Sequence, residues 1–288
     1  MPAATASRSL PGTITITTPS IIIMSIIMAE AALYDLMTWM SPAWPVGAFA
    51  HSGGLEWAVE AGHVTDRATT RQWIADLIEH GPIRNDMILF VHAWRAAMAG
   101  EDEALQEIAQ LSLATQTGSE RRIEATAQGN AFRKIASATL DPPPQGEGDR
   151  DAKRRGGEGS RLGAAREAIP LHHASHGPPP QQAGEDLTYP IAVATLTARQ
   201  AIPLNQALTA YAHGVAANLV SAAQRLVPLG QTDGQLVIRD LRDTIFAVVD
   251  EMIALPEGDP FSHLGGSTLV AEIGCMAHET QYTRLFRT

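Results

Sequence analysis

The stretch 203–226 constrains the fold most, because its apolar residues recur at spacings of three and four along its whole length. That spacing is typical of an amphipathic α-helix, whose apolar stripe packs against neighbouring elements. Alanines beside the stripe allow other helices to approach closely, so we predict that this segment is the central helix of the core. Its apolar positions are Leu204, Leu208, Tyr211, Val215, Leu219 and Leu226.

The same periodicity recurs along most of the chain from residue 33 onward. Start and stop signals separate the periodic segments: Pro42 ends the first, Asp66 and Pro82 begin two others, and Gly100 ends another. The core region contains no run that alternates apolar and polar residues with the period of a strand. The sequence therefore predicts an all-α, single-domain helical bundle of roughly eight to ten helices with a disordered insertion.

Two segments have the spacing of a capping box, in which a hydroxyl and a side chain three residues later satisfy early helix amides. The first, at 117–120, predicts a helix that passes Ile135, and the second, at 232–235, predicts a helix that reaches Leu255. Gly129 would weaken the first helix by up to about 1 kcal/mol relative to alanine. We therefore expect Gly129 to mark a close helix crossing rather than a ligand contact.

The segment 141–187 divides the helical pattern, because 15 of its 47 residues are proline or glycine. Such a content is typical of disordered sequence. We predict a helical core in two parts, 28–140 and 188–288, separated by a disordered insertion at 141–187. Residues 1–27 are predicted to be a disordered extension outside the core. Their apolar run is too short to span a bilayer, which leaves a secretory signal as the alternative to an upstream extension before Met24 or Met28.

Histidines provide the weak candidates for a metal site. His172, His173 and His176 lie in the predicted insertion, where no fixed geometry would hold a nickel or zinc ion. Cys275 and His278 are spaced like half of a metal site on one helix, but a buried cysteine beside a helix-end histidine explains them better. We therefore predict no metal site and no stably bound cofactor.

Composition excludes several classes of function. The chain has 21 basic and 31 acidic residues, so its formal net charge of -10 argues against a nucleic-acid binder. Neither lysine, Lys134 or Lys153, follows a glycine-rich loop, so there is no P-loop for nucleotide. Common hydrolase motifs are absent, and the adjacent pair His51 and Ser52 lacks an acidic partner that could orient it, beyond Glu56. We predict that the chain is not an enzyme. Its single cysteine fits a reducing compartment.

The stretch 41–57 contains two prolines, three glycines and two tryptophans between two helical segments. Proline ends a helix, and glycine permits backbone angles or close approaches that other residues do not. Local physics alone allows either a tightly packed turn between helices or a preformed recognition surface.

The last residues of the chain pose a similar choice. Leaving Leu285 and Phe286 in water would forgo about 1.5 to 3 kcal/mol of burial for each side chain. The tail therefore either folds back on its own core or docks into a groove of a partner.

Three stretches of the sequence resemble the UreF family of urease accessory proteins. They are 44–56 (WPVGAFAHSGGLE), 217–235 (ANLVSAAQRLVPLGQTDGQ) and 278–288 (HETQYTRLFRT), in the order of the family. The resemblance covers residues 33–288 except the insertion, which the family core lacks, and Thr288 stands where the family usually has serine.

The resemblance implies a function in the maturation of urease by nickel insertion. Such a protein bridges the UreD/UreH scaffold, which contacts apo-urease, and the GTPase UreG, whose cycle it regulates. It implies a cytoplasmic homodimer that acts without nucleic acid or membrane, with nickel as the metal that the complex delivers.

The resemblance also assigns partner-binding residues, and it implies that the tail binds the scaffold. The assigned residues are Pro45, Gly47, Phe49, His51, Ser52, Gly54, Leu55, Glu56, Arg284, Leu285, Phe286 and Arg287.

Two alternatives come from other functional classes. One is a helical regulatory protein unrelated to urease, and the other is a metal-dependent hydrolase with an unrecognised site.

Overall fold

A computed structural model describes residues 30–140 and 186–287. Within these ranges the chain forms helices and turns and no strand, which confirms the all-α prediction. The predicted extension at 1–27, His172, His173 and His176, and all but the last two residues of the predicted insertion lie outside the described residues. Helix α1 spans 30–39. It is followed by α2 Leu55–Glu60, α3 Arg67–His80, α4 Pro82–Ala99, α5 Asp102–Ala114, α6 Ser119–Leu140, α7 Tyr189–Arg199, α8 Leu204–Leu226, α9 Gln231–Asp240, α10 Arg242–Ile253 and α11 Leu269–His278.

Most helix ends lie where local signals predict them. The Asp66 side chain accepts a hydrogen bond from the backbone N–H of Thr69 at 2.8 Å, in a capping box that begins α3. Pro82 occupies the first turn of α4, and Gly100 ends α4 with a φ of 73°. Proline is preorganised for the first turn of a helix, and glycine tolerates the left-handed angle at its end.

The two predicted capping boxes outside α3 are wrong. At the start of α6, the backbone N–H groups of Ser119 and Glu120 donate to Glu279 Oε1 at 2.7 and 3.2 Å. A residue at the other end of the chain therefore supplies the acceptor that sequence spacing assigned to Thr117. Helix α9 already begins at Gln231, after Gly230, and a turn at Leu241 separates it from α10.

Helices α4 and α8 share the centre of the core. Five consecutive residues of α4, at 87–91, are fully buried, and α4 packs against α3, α5, α7, α8 and α10. Helix α8 buries Leu208 and Tyr211 and contacts α2, α3, α7, α9 and α10. A Cβ on Gly129 would lie 2.1 Å from the carbonyl oxygen of Leu187, so α6 presses against the segment that leads into α7. Close approach thus accounts for this glycine, as predicted, although the neighbour is extended chain.

Two helices present apolar side chains to the outside. On α11 the buried positions are Ala271, Gly274 and His278, whereas Leu269 and Ile273 are more than half exposed. Helix α1 likewise buries one face against the core and exposes, on its other face, an apolar row of Leu33, Tyr34 and Met37. Among the described helices, none is both long and apolar enough to cross a membrane.

A small second cluster of buried apolar residues lies beside the main core. It joins the beginning of the chain to its end, since Phe286 from the tail packs with residues of α2 and α8. The members are Leu55, Ala58, Val64, Ala222, Ala223, Val227 and Phe286.

Candidate functional site: the junction of the signature loop and the tail

The loop between α1 and α2, residues 40–54 and here called the signature loop, depends on glycine for its path. Gly47 and Gly54 have φ angles of 80° and 82°, in the region that other residues rarely adopt. A Cβ on Gly54 would also lie 2.7 Å from Cys275 Sγ, so α11 packs too closely against the loop to leave room for a side chain at this position. The thiol of Cys275 donates to the carbonyl oxygen of Gly53 at 3.3 Å, and burial raises the pKa of this thiol to about 11. The loop is thus fixed against α11.

Glu56, in the first turn of α2, holds the tail, which we define as residues 279–287. Its carboxylate accepts hydrogen bonds from the backbone N–H of Leu285 at 2.6 Å and of Phe286 at 3.0 Å. Burial acts to raise the pKa of Glu56, but the hydrogen bonds from His278 and from these two amides outweigh it and hold the pKa below its ordinary value. Glu56 therefore binds the tail as a carboxylate.

His278, the last residue of α11, joins Glu56 to a second carboxylate. Its Nε2 lies 3.0 Å from Glu56 Oε2, and its Nδ1 lies 2.7 Å from Glu120 Oε2. The guanidinium of Arg284 pairs with the other oxygen of Glu120. We call Glu56, Glu120, His278 and Arg284 the tail clamp. It links α2, α6, α11 and the tail, and the ring of His278 is fully buried inside it.

An arginine stack provides a second link between the tail and the signature loop. The Arg225 guanidinium of α8 lies 3.8 Å from the ring centroid of Phe49 and 4.2 Å from that of Phe286. Its Nη1 donates to the carbonyl oxygen of Phe49 at 2.9 Å. Beside the stack, the backbone N–H of Arg287 donates to the carbonyl oxygen of Ala50 at 2.9 Å. The first and the last of the three stretches that resemble the UreF family therefore meet on one side of α8.

The predicted partner-binding residues divide into two groups by exposure. The buried group holds the loop and tail together, and the exposed group faces outward at their junction. Whether either group contacts a partner stays a prediction. The buried residues are His51, Ser52, Gly54, Leu55, Glu56 and Phe286. The exposed residues are Pro45, Gly47, Phe49, Arg284, Leu285 and Arg287.

Sequence reasoning missed four residues of this junction: Glu120, Arg225, His278 and Glu279. Three of them lie inside the stretches that resemble the UreF family, but neither their spacing nor their type shows which distant residue each one contacts. His278 contacts two carboxylates, and Cys275 contacts a carbonyl oxygen. The part of the chain that the structure describes contains no group of three or more acidic, histidine or cysteine side chains placed to hold a metal ion.

A cleft of about 760 Å³ runs beside the signature loop and contains a second group of charges. Arg121 of α6 lies 3.2 Å from Asp86 Oδ2 and 3.1 Å from Glu124 Oε2. The hydroxyl of Tyr211 donates to Asp86 at 3.5 Å. We call Asp86, Arg121, Glu124 and Tyr211 the cleft cluster. Burial raises the pKa of Asp86 to about 6, against the opposing influence of Arg121.

Comparison with known proteins identifies the relatives of this chain. The profile of the UreF family matches residues 64–242. A urease accessory protein UreF from Rhodopseudomonas palustris strain HaA2 is 41% identical over 258 residues, which cover 90% of this chain and 94% of the relative. The proteins of the same name from R. palustris strain BisB5 and Bradyrhizobium diazoefficiens are 40% and 39% identical, with 90% of this chain and 92% of each relative covered.

Proposed function

Because the chain belongs to the UreF family of urease accessory proteins, we propose that it bridges the UreD/UreH scaffold and the UreG GTPase during nickel insertion into urease. Membership in a family of accessory proteins confirms the prediction that the chain is not an enzyme, and it replaces the alternative of a regulator unrelated to urease. In this proposal the chain contacts apo-urease through the scaffold and regulates the GTPase cycle. Nickel is the cargo of the complex and not a resident cofactor of the chain.

The observation that carries the proposal is the junction of the signature loop with the tail. Phe49 is 68% exposed and Leu285 is 63% exposed, although the backbone next to Phe49 and the amides of Leu285 and Phe286 are hydrogen-bonded. Arginine and aromatic residues are enriched at the energetic centres of interfaces. An exposed set of aromatic, aliphatic and arginine side chains on fixed backbone is therefore well suited to bind a partner protein.

The exposed apolar rows of α1 and α11 support the proposed homodimer. Leu33, Tyr34 and Met37 on α1, and Leu269 and Ile273 on α11, would be buried more favourably against a second protein than in water. We further propose that the complex assembles in the cytoplasm, where it needs neither nucleic acid nor a membrane.

Deletion of residues 284–288 tests the bridging function. We expect the truncated chain to lose copurification with UreD/UreH and to keep its far-ultraviolet helicity, because the tail is not helical. It should unfold more easily than the full chain, because the deletion removes the buried Phe286. The matched control replaces Arg242, an exposed residue of α10, with alanine. Undiminished scaffold binding by the truncated chain would refute the tail assignment.

Strains that produce urease from its gene cluster test the wider role. Urease made from its gene cluster without this gene should contain little nickel, and restoring the gene from Met28 should return the metal. Fully metallated urease without the gene would remove the maturation role. If the chain binds the scaffold but its loss has no effect on the nickel content of urease, the contact with the scaffold would stand and the role in nickel insertion would be rejected.

A further inference from the structure

We propose that His278 makes docking of the tail dependent on a proton, so that the tail docks when the ring carries both protons and is released as the pH rises. The proposal concerns the chain by itself and does not depend on any partner. It follows from the hydrogen bonds of the tail clamp, from the burial of the ring and from the balance of charge around it.

The geometry demands two donors from one ring. Both nitrogens of His278 lie within 3.0 Å of a carboxylate oxygen, one from Glu56 and one from Glu120. An ionised carboxylate only accepts hydrogen bonds, and a neutral imidazole has only one N–H group. Only the imidazolium can therefore donate to both carboxylates at once. The side chain of His278 has no exposed surface, so water does not reach the ring to replace a lost bond.

The charge balance leads to the same conclusion. With the proton in place, the two carboxylates of the clamp face two cations, His278 and Arg284. Loss of the proton leaves one negative charge without a counterion in a largely buried cluster, which is costly. Movement of the tail away from the clamp would admit water to both carboxylates and to the ring, and would relieve this cost.

The carboxylates that bind His278 are the ones that bind the tail. Glu56 also accepts from the amides of Leu285 and Phe286, and Glu120 also pairs with Arg284. A carboxylate that turns away from the neutral ring therefore also weakens its bonds to the tail. By linkage, the state that binds more protons is favoured at lower pH, so rising pH should favour release.

Other ionisable groups surround the clamp on each element that packs there. On α11 and in the tail, the groups are Cys275, Glu279, Arg284 and Arg287; on α2 they are Glu56 and Glu60; on α6 they are Glu120, Arg121 and Glu124; and in the signature loop the group is His51. His51 is the second histidine among these groups. Burial lowers the pKa of His51, with Glu124 acting in the opposite direction, so His51 gains charge only as the pH falls.

The experiment follows Phe286 by ¹⁹F NMR in the full chain labelled with 4-fluorophenylalanine. The chain contains six phenylalanines, and the spectrum of Phe286→Leu identifies the line that belongs to Phe286. Spectra between about pH 5.5 and about pH 9 give the ratio of docked to released tail. We expect this ratio to fall with rising pH, with a slope that approaches tenfold per pH unit for one linked proton. A ratio that stays constant over this range would overturn the proposal.

Two variants should abolish the transition for different reasons. His278→Gln cannot take up a proton, so its tail should be more released than in the wild type and should not respond to pH. Glu120→Gln places an amide beside Nδ1 that can donate to a neutral ring, so docking of its tail should not weaken with rising pH, although loss of the ion pair with Arg284 weakens docking equally at every pH. If His278→Gln does not fold, Glu120→Gln decides alone. A wild-type transition in either variant contradicts the proposal.

Two further histidine variants serve as controls. His80→Gln changes an exposed residue at the end of α3 and should leave the transition intact. His51→Gln should also retain the transition. Loss of the transition in either control would assign the proton to another histidine and reject the role of His278.

Discussion

The tail clamp and the cleft cluster both bury carboxylates between helices, but the pKa of the central carboxylate moves in opposite directions. In the clamp, Glu56 accepts hydrogen bonds from two backbone amides and from His278 at 2.6 to 3.0 Å, and its pKa is lowered. In the cleft cluster, Asp86 has donors at 3.2 and 3.5 Å and shares Arg121 with Glu124, and its pKa rises to about 6. Burial acts to raise the pKa of both groups. The close donors around Glu56 outweigh it, whereas Arg121, Gln116 and Tyr211 do not outweigh the deeper desolvation of Asp86.

The two regions also differ in what they connect. The cleft cluster joins α4, α6 and α8, which pack together in the body of the fold. The tail clamp joins residues that are more than 150 positions apart, and it fixes a segment that has no helix of its own. The clamp therefore holds a segment that adds no helix to the core, whereas the cleft cluster belongs to the packing of three helices.

Removing the centre of the clamp should have the largest effect. Glu56→Ala removes the acceptor of two tail amides and one of the two carboxylates that contact His278, so we expect a loss of about 3 to 5 kcal/mol in the free energy of unfolding. Urea unfolding at neutral pH measures it. Glu103→Ala, which changes an exposed carboxylate on α5, should stay within about 0.5 kcal/mol of the wild type. A loss for Glu56→Ala as small as that of this control would show that the clamp is dispensable.

The opposite pKa shifts predict opposite effects of pH. Ionisation of Asp86 costs stability, so the stability of the wild type relative to Asp86→Asn should fall as the pH rises from 3.8 towards about 6. The decrease should be about 3 kcal/mol. Ionised Glu56 contributes stability, so the stability of the wild type relative to Glu56→Gln should be greatest above pH 4.5 and decline as the pH falls further. Urea unfolding across this pH range measures both, and slopes of the same sign would refute the comparison.

The contact between α11 and the signature loop can be tested with two glycines of similar backbone conformation. Gly54 and Gly62 have φ angles of 82° and 78°, but a Cβ meets Cys275 at the first position and open space at the second. Both alanine variants carry the strain of the left-handed angle, and Gly54→Ala adds a steric clash of about 1 to 3 kcal/mol. Thermal unfolding should separate the two variants by this difference. Equal melting temperatures would mean that α11 can move away from the loop without cost.

The smallest effect should come from the arginine stack. Arg225→Lys keeps the charge but loses the planar group that lies against Phe49 and Phe286, so we expect a loss of about 1 kcal/mol. The tail should also be cut more quickly by trypsin after Arg284. Arg242→Lys on the exposed side of α10 is the control. If both lysine variants behave alike, the stack does not hold the tail.

Local signals in the sequence predicted most of the helices and few of the contacts between them. Asp66, Pro82 and Gly100 act on neighbouring residues, so their effect on helix ends could be read directly. The start of α6 could not be predicted in this way, because the residue that accepts its first hydrogen bonds, Glu279, lies 160 residues away. The turn at Leu241 also escaped prediction, since the apolar periodicity continues through it.

The site shows the same limit. Each of the three stretches that resemble the UreF family was predicted to matter, and each contributes one member of a single stack: Phe49, Arg225 and Phe286. Nothing in their spacing indicates that they touch. The choice between a tail that folds back on its own core and one that docks into a groove of a partner also required the structure, because burying Phe286 is favourable on either surface.

The capping of α6 by Glu279 has a consequence for folding during synthesis. The amides of Ser119 and Glu120 receive their acceptor only from a residue near the end of the chain, and Glu56 must wait for Leu285 and Phe286 in the same way. During synthesis, therefore, α2 and the first turn of α6 remain incomplete until residues 279–286 have left the ribosome. Contacts of such long sequence separation also close slowly. The surface that joins loop and tail therefore cannot form before residues 279–286 are available, and a nascent chain cannot present it early.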